Sequence, residues 1–139
     1  FQFNIIIPGI NPFLCQEVKL PDVEFDVVTH GDTNFDVKTA GKKKIGTLTV
    51  NKLFDGVIPD PALKIWMTQI QNSLTGGGLI PAAYKKTIIV EQYSPDGIVV
   101  IERYIFQGCW PSKRNGIDFS RKASENTMES IEFQIDEEI

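Results

Sequence analysis

Only one stretch of this chain repeats its apolar residues at the period of a helix. Leu63, Trp66, Met67, Ile70 and Leu74 fall at i, i+3, i+4, i+7 and i+11, which places them on one stripe of a helix. Asp60 stands where an N-cap belongs, and Pro61 occupies the first helical position, where its missing N–H costs nothing. Gly76-Gly77-Gly78 closes the segment, so a helix is expected over about residues 61–75. Parallel strands need crossovers of a dozen or more residues, usually helices. One helix cannot supply them. The expected fold is therefore mainly β: an antiparallel sandwich or small barrel of about seven strands with one flanking helix.

The strands announce themselves by period two. Asn4–Ile7 is a short apolar run ended by Pro8-Gly9. Glu17–Leu20 and Val23–Thr29 read as a hairpin across Pro21-Asp22, with Val23, Phe25 and Val27 on one side and Glu24 and Asp26 on the other. His30–Lys44 has no period and is rich in Gly, Asp, Thr, Asn and Lys, so an extended exposed loop is expected at about residues 30–44, with a short strand at Phe35–Val37 at most. Loops of that length are uncommon in compact domains unless they have a task. Ile45–Leu53 alternates, with Leu48 and Val50 on one side. Lys86–Tyr93 and Ile98–Gln107 flank Ser94-Pro95-Asp96-Gly97, where Pro presets φ and Gly takes the left-handed position. Gly108-Cys109-Trp110-Pro111 is expected to break the second of these strands. Thr127–Ile135 is the last, with Ile131, Phe133 and Ile135 opposite Ser130, Glu132, Gln134 and Asp136.

At ~100–200 residues per domain, 139 residues make one domain, spanning 1–139. With 42% hydrophobic and 23% charged residues, disorder is excluded as the main state. No apolar run reaches the ~18 residues of a membrane span, and the opening FQFNIIIPG lacks the basic region and length of a signal peptide. His30 is the one histidine, which excludes paired-histidine chemistry and histidine-rich metal sites. Cys15 and Cys109 have no metal-site spacing and read as small buried thiols. Pairing either with His30 as a nucleophile has no local signature to support it. Asp32, Asn34 and Asp36 alternate like part of a calcium loop, but the glycine and closing glutamate are missing. The triple glycine is followed by no GK[ST], so it is no phosphate loop. No catalytic, cofactor or metal site is expected.

The net charge of −4 argues against a surface built to grip nucleic acid. The charges are segregated. Lys38, Lys42, Lys43 and Lys44 form one basic segment and Lys113, Arg114, Arg121 and Lys122 another. Glu125 to Glu138 carries acids alone. Either these are solvated faces, or they complement one another between copies of the chain.

The order of motifs along most of the chain resembles a known family. A short strand leads to Glu17-Val18-Lys19-Leu20-Pro21, an acidic strand, a Gly/Lys segment, and an Asp-Pro helix with Leu63 and Trp66. A long strand then ends in Phe106-Gln107-Gly108-Cys109-Trp110-Pro111. Ile117-Asp118-Phe119-Ser120, Ser124-Glu125-Asn126 and Met128-Glu129-Ser130-Ile131-Glu132-Phe133 follow. This pattern is similar to the tail tube proteins of contractile-tailed bacteriophages, whose relatives form the tubes of other contractile injection systems.

The resemblance implies a structural virion protein with no cofactor, assembled in the host cytoplasm. Rings of six copies would stack into the inner tube of a contractile tail that conducts DNA into the host. The implied partners are further copies of itself, the tail sheath, the baseplate and tail terminator, and, in the lumen, the tape measure protein and then DNA. Glu17, Asp22, Glu24, Asp26 and Glu132 are the candidates for facing the lumen, where acids would repel the DNA backbone. Asp32, Phe35, Lys38, Lys42, Lys43 and Lys44 are candidates for contacts between rings or subunits. Lys113, Arg114, Arg121 and Lys122 are candidates for the sheath contact, and Trp66, Trp110 and Pro111 for structural anchors. Two other readings stay open on the sequence: the tube of a bacteriocin or type VI-like secretion system, and a monomeric small-ligand-binding β-barrel.

Overall fold

The computed structural model of the chain describes residues 2–10, 12, 15–31, 34–53, 62–71, 76–115 and 128–139. Among these, nine strands and two helices run in the order β1 (Gln2–Ile6), β2 (Cys15–Lys19), β3 (Val23–Gly31), β4 (Asp36–Ile45), β5 (Leu48–Leu53), α1 (Ala62–Ile70), α2 (Pro81–Tyr84), β6 (Lys86–Tyr93), β7 (Val100–Arg114), β8 (Met128–Gln134) and β9 (Glu137–Glu138). Every strand pairing is antiparallel. The fold is mainly β and antiparallel, as the single helical stripe requires.

The strand order is β1-β6-β7-β8-β5-β2, with β9 on β7. Strand β7 belongs to both halves of this path. Its first part pairs with β6 and β9, and Trp110 to Arg114 pair with β8. The bend lies at Gly108. Lys86 and Ile88, two apart on β6, face Cys109 and Phe106, three apart on β7. The extra residue is a bulge, and Gly108 has φ +68. Phe106 and Cys109 can therefore both point inward although they are three apart in sequence. The result is a first sheet (β1-β6-β7-β9) and a second sheet (β7-β8-β5-β2) joined through one bent strand, a recognised way of turning the corner of a sandwich.

The core lies between them. Ile5, Ile88, Val90 and Phe106 come from the first sheet, Leu48, Val50, Ile131 and Phe133 from the second, and Leu63 and Trp66 from α1. Alternation explains the selection. On β5 the inward set is Leu48, Val50 and Lys52, and on β8 it is Glu129, Ile131 and Phe133. Trp66 is 1% exposed. Its ring lies 5.6 Å from that of Phe133, its Nε1 donates to the Tyr84 carbonyl at 2.6 Å, and the Lys86 ammonium sits 4.9 Å over its face. The carbonyl it uses belongs to α2, so one side chain ties both helices to the second sheet.

Several expectations need correction. Residues 36–44 of the expected loop, with Ile45, are a full strand, β4, paired with β3 from Val23↔Ile45 to Gly31↔Asp36. The extended segment is thus a two-stranded hairpin, clamped at its base by the Gly46 N–H donating to the Asp22 carbonyl at 2.8 Å. The expected pairing of Glu17–Leu20 with Val23–Thr29 does not occur. β2 pairs with β5 instead, because the hydrophobic sides of Val18 and Val50 must meet the core. Gly108 to Pro111 bend β7 without ending it. The strand absorbs Pro111, which lacks an N–H, at a bulge between Pro111 and Lys113. The expected helix is observed over Ala62–Ile70. Its expected cap at Asp60-Pro61 and its continuation to Leu74 lie outside the described residues. The helix α2 was not anticipated.

Candidate assembly surfaces

Outward-facing residues of the second sheet form one polar surface. Cross-strand register brings Glu17 opposite Asn51, Lys19 opposite Thr49, Thr49 opposite Glu132, and Glu132 opposite Lys113. The Asn51 amide donates to Glu17 Oε2 at 2.9 Å. Gln134 Nε2 donates to Ser112 Oγ at 3.3 Å, and Ser112 Oγ donates to the Glu132 carbonyl at 3.3 Å. Two of the expected lumen acids, Glu17 and Glu132, therefore share a face, together with two lysines. Lys19 comes to this face because β2 pairs with β5 and not with β3, and Lys113 because β7 runs on past Pro111.

Asp22, Glu24 and Asp26 stand elsewhere, at the base of and on the β3–β4 hairpin. Glu24 is opposite Lys44, and Asp26 Oδ1 lies 2.9 Å from Lys44 Nζ. Their charge is partly offset within the hairpin, although the pair is exposed and worth little to stability. Every residue of β3 is exposed. One hairpin face carries Val23, Phe25 and Val27, with Ile45, Lys43, Ala40 and Lys38 around them. The other carries Val28 and His30, whose Nε2 lies 3.2 Å from Thr39 Oγ1. Phe35, near the tip, is 64% exposed. Asp32 lies outside the described residues. Of the expected sheath contacts, Lys113 and Arg114 are exposed at the end of β7, while Arg121 and Lys122 lie outside the described residues.

Two of the anchor candidates make contacts inside the fold. Trp110 meets Tyr84 edge-on at 6.3 Å between centroids, and Pro111 is buried opposite Phe133. At one end of the second sheet Lys52 Nζ lies 3.1 Å from Glu129 Oε2, both side chains almost fully buried, with Arg114 Nε 4.0 Å from the other oxygen. This buried ion pair was missed. Its signal was present, since Lys52 and Glu129 fall in phase with the apolar residues of their strands.

Thiol and imidazole are kept apart. Cys15 and Cys109 are buried thiols, whereas His30 is exposed on the hairpin. Burial pushes the Cys109 thiol up to about 11 from 9.0, which leaves it protonated and inert as a nucleophile at neutral pH. Among the described residues no group of three or more His, Cys, Asp or Glu side chains is placed to hold a metal, and no helix is long and apolar enough to cross a membrane.

Comparison with known proteins agrees with this geometry. Chains of the sheath–tube complex and of the sheath/tube terminator of an extracellular contractile injection system superpose with TM-scores of 0.76 and 0.78. These cover 99% and 100% of this chain and 86% and 92% of theirs, each at 16% identity, so they establish a shared fold. The tail tube protein gp19 of Enterobacteria phage T4 is 31% identical over 118 residues, 81% of this chain and 71% of that protein. Its counterpart in phage T6 is 30% identical over the same length. The model of the T4-like virus tail tube protein gp19 family matches residues 1–137. The chain belongs to that family and is an inner tube protein of a contractile tail.

Proposed function

We propose that copies of this chain close into rings of six, that the rings stack into a hollow tube, and that the tube conducts DNA without holding it. The observation that carries the reading is the β3–β4 hairpin. All of β3 is exposed in the single chain, and a lone two-stranded hairpin is marginal in water. A chain that leaves such a hairpin uncovered is built to have another copy cover it. Among the described strands, β1 and β2 stand at the two ends of the sheet path, and closed assembly would join such edges between copies. Joining one edge of a copy to a different edge of the next is a heterologous contact, and it closes when rotation returns to the start.

In this reading the polar face of the second sheet lines the lumen. Glu17 and Glu132 would face the DNA backbone there, with Lys19 and Lys113 beside them. Opposed signs at close range leave little net field, so a duplex carrying a charge about every 1.7 Å finds no run of cations to bind. Asp22, Glu24 and Asp26 would reach the lumen only where the hairpin passes along it. The chain performs no reaction. Arg114, Arg121 and Lys122 are proposed to meet the sheath, and Lys113, opposite Glu132 on the lumen face, is not. The baseplate, terminator and tape measure are the other proposed partners. Electron microscopy of the purified chain under assembly conditions tests the reading. Six-fold rings or hollow tubes are expected, and monodisperse monomers at high concentration would refute it.

A further inference from the structure

The outward face of the first sheet carries a row of isoleucines. Ile6 on β1 is opposite Ile89 on β6, and Ile89 is opposite Ile105 on β7. The Ile139 N–H donates to the Ile105 carbonyl at 2.9 Å, which extends the row beside β9. Ile6 is 44% and Ile139 67% exposed. In the next row Glu91 is opposite Arg103, and Arg103 Nη2 and Nε both donate to Glu91 Oε2, at 3.0 and 3.3 Å. The charge within the patch is therefore already neutralised. At its margin Glu137, opposite Gln107, brings an exposed acid to the same face.

The hairpin has the complementary character. Val23, Phe25 and Val27 are 42%, 55% and 65% exposed and share one face. Lys43, opposite Phe25, and Lys38, opposite Thr29, rim it with positive charge. Both surfaces are sheet faces, and two such faces stack about 10 Å apart when their side chains interdigitate. Among the described residues nothing covers β3.

We propose that the hairpin of one copy packs through its Phe25 face onto the isoleucine row of a second copy, with Lys38 and Lys43 turned toward the partner's acidic margin at Glu137. This rests on the tube reading, since it needs copies to meet, and goes beyond it by naming the receiving face. The second copy is favoured over an unrelated partner because both complementary surfaces, apolar centre and opposite rims, are on the same polypeptide.

The test is cross-linking in the assembled state. Phe25→Cys and Ile6→Cys are combined in one chain and treated with a short bis-maleimide. The native cysteines are buried, at 8% and 0% exposure, and stay silent. A ladder of linked multimers is expected from assembled tubes, with none from Val28→Cys combined with Ile6→Cys, which uses the opposite hairpin face. Tubes that assemble without a ladder, or an equal ladder from the Val28 control, overturn the proposal while leaving the tube reading intact. If the unmodified chain fails to assemble, the tube reading falls and this proposal with it. Should the double variant alone fail to assemble, Val27→Cys with Ile139→Cys, 65% and 67% exposed, probes the same contact with the same two outcomes.

Discussion

Single residues hold this fold at three places where a generic β-sandwich would not need them. Gly108 takes φ +68 at the bend of β7, and a Cβ there would collide with the Cβ and carboxylate of Asp136, itself 2.6 Å from Lys85 Nζ. Gly108→Ala should cost about 1–3 kcal/mol for the backbone conformation alone, read as a lowered denaturant midpoint. The Lys52–Glu129 pair is the second place. A buried ion pair adds little by itself, but removing one partner is costly. Glu129→Gln should destabilise by about 3–5 kcal/mol, and replacing both residues by Met and Leu should recover most of the loss. A double replacement as unstable as the single one would contradict this account.

Cys109 is the third. Well below pH 9 its thiol is protonated in both the folded and unfolded chain. Burial raises the folded value from 9.0 to about 11, so between those limits the unfolded thiol ionises first and stability falls as pH rises. Comparing denaturant midpoints of wild type and Cys109→Ala across that window should show a steeper fall for wild type. Identical slopes would remove the claim.

At the scale of elements, the half-buried strands were legible because one face of each meets the core. Leu48 and Val50, or Ile131 and Phe133, mark period two without ambiguity. β4 was hidden for the converse reason. In Asp36–Ile45 most residues are exposed on both faces, so burial imposes no alternation, and the strand is defined by its partner alone. The same gap misassigned β2. Pro21-Asp22 resembles a hairpin turn, but the chain uses it to enter a second, separate hairpin. The bend of β7 looked like a terminus because Gly and Pro usually punctuate strands, and only a bulge lets one strand serve two sheets. Of the candidate surfaces, the shared face of Glu17 and Glu132 required knowing the register, which composition does not encode. Since the Phe25 face of the hairpin is exposed, Phe25→Ser with Val27→Ser should change monomer stability by no more than about 0.5 kcal/mol. It should nevertheless abolish sedimentable assemblies. Unimpaired assembly would show that the hairpin is not a contact.

The described part of the molecule is a sandwich with a hairpin, and it has three differently finished surfaces. Its second sheet presents a mixed polar face, its first sheet an isoleucine row, and its hairpin an apolar strip rimmed by lysine. A monomer gains nothing from the last two, whereas a repeating assembly can bury each against the other and leave the polar face open. Family membership and fold place the chain in a contractile tail tube. In the proposed assembly, the arrangement of these faces sets what the tube shows to its contents. A helical reconstruction of the assembled chain measures this directly. Six subunits per ring should surround a lumen lined by Glu17, Lys19, Thr49, Asn51, Lys113 and Glu132, with the isoleucine row covered. A lumen lined instead by Ile6, Ile89 and Ile105 would contradict the account.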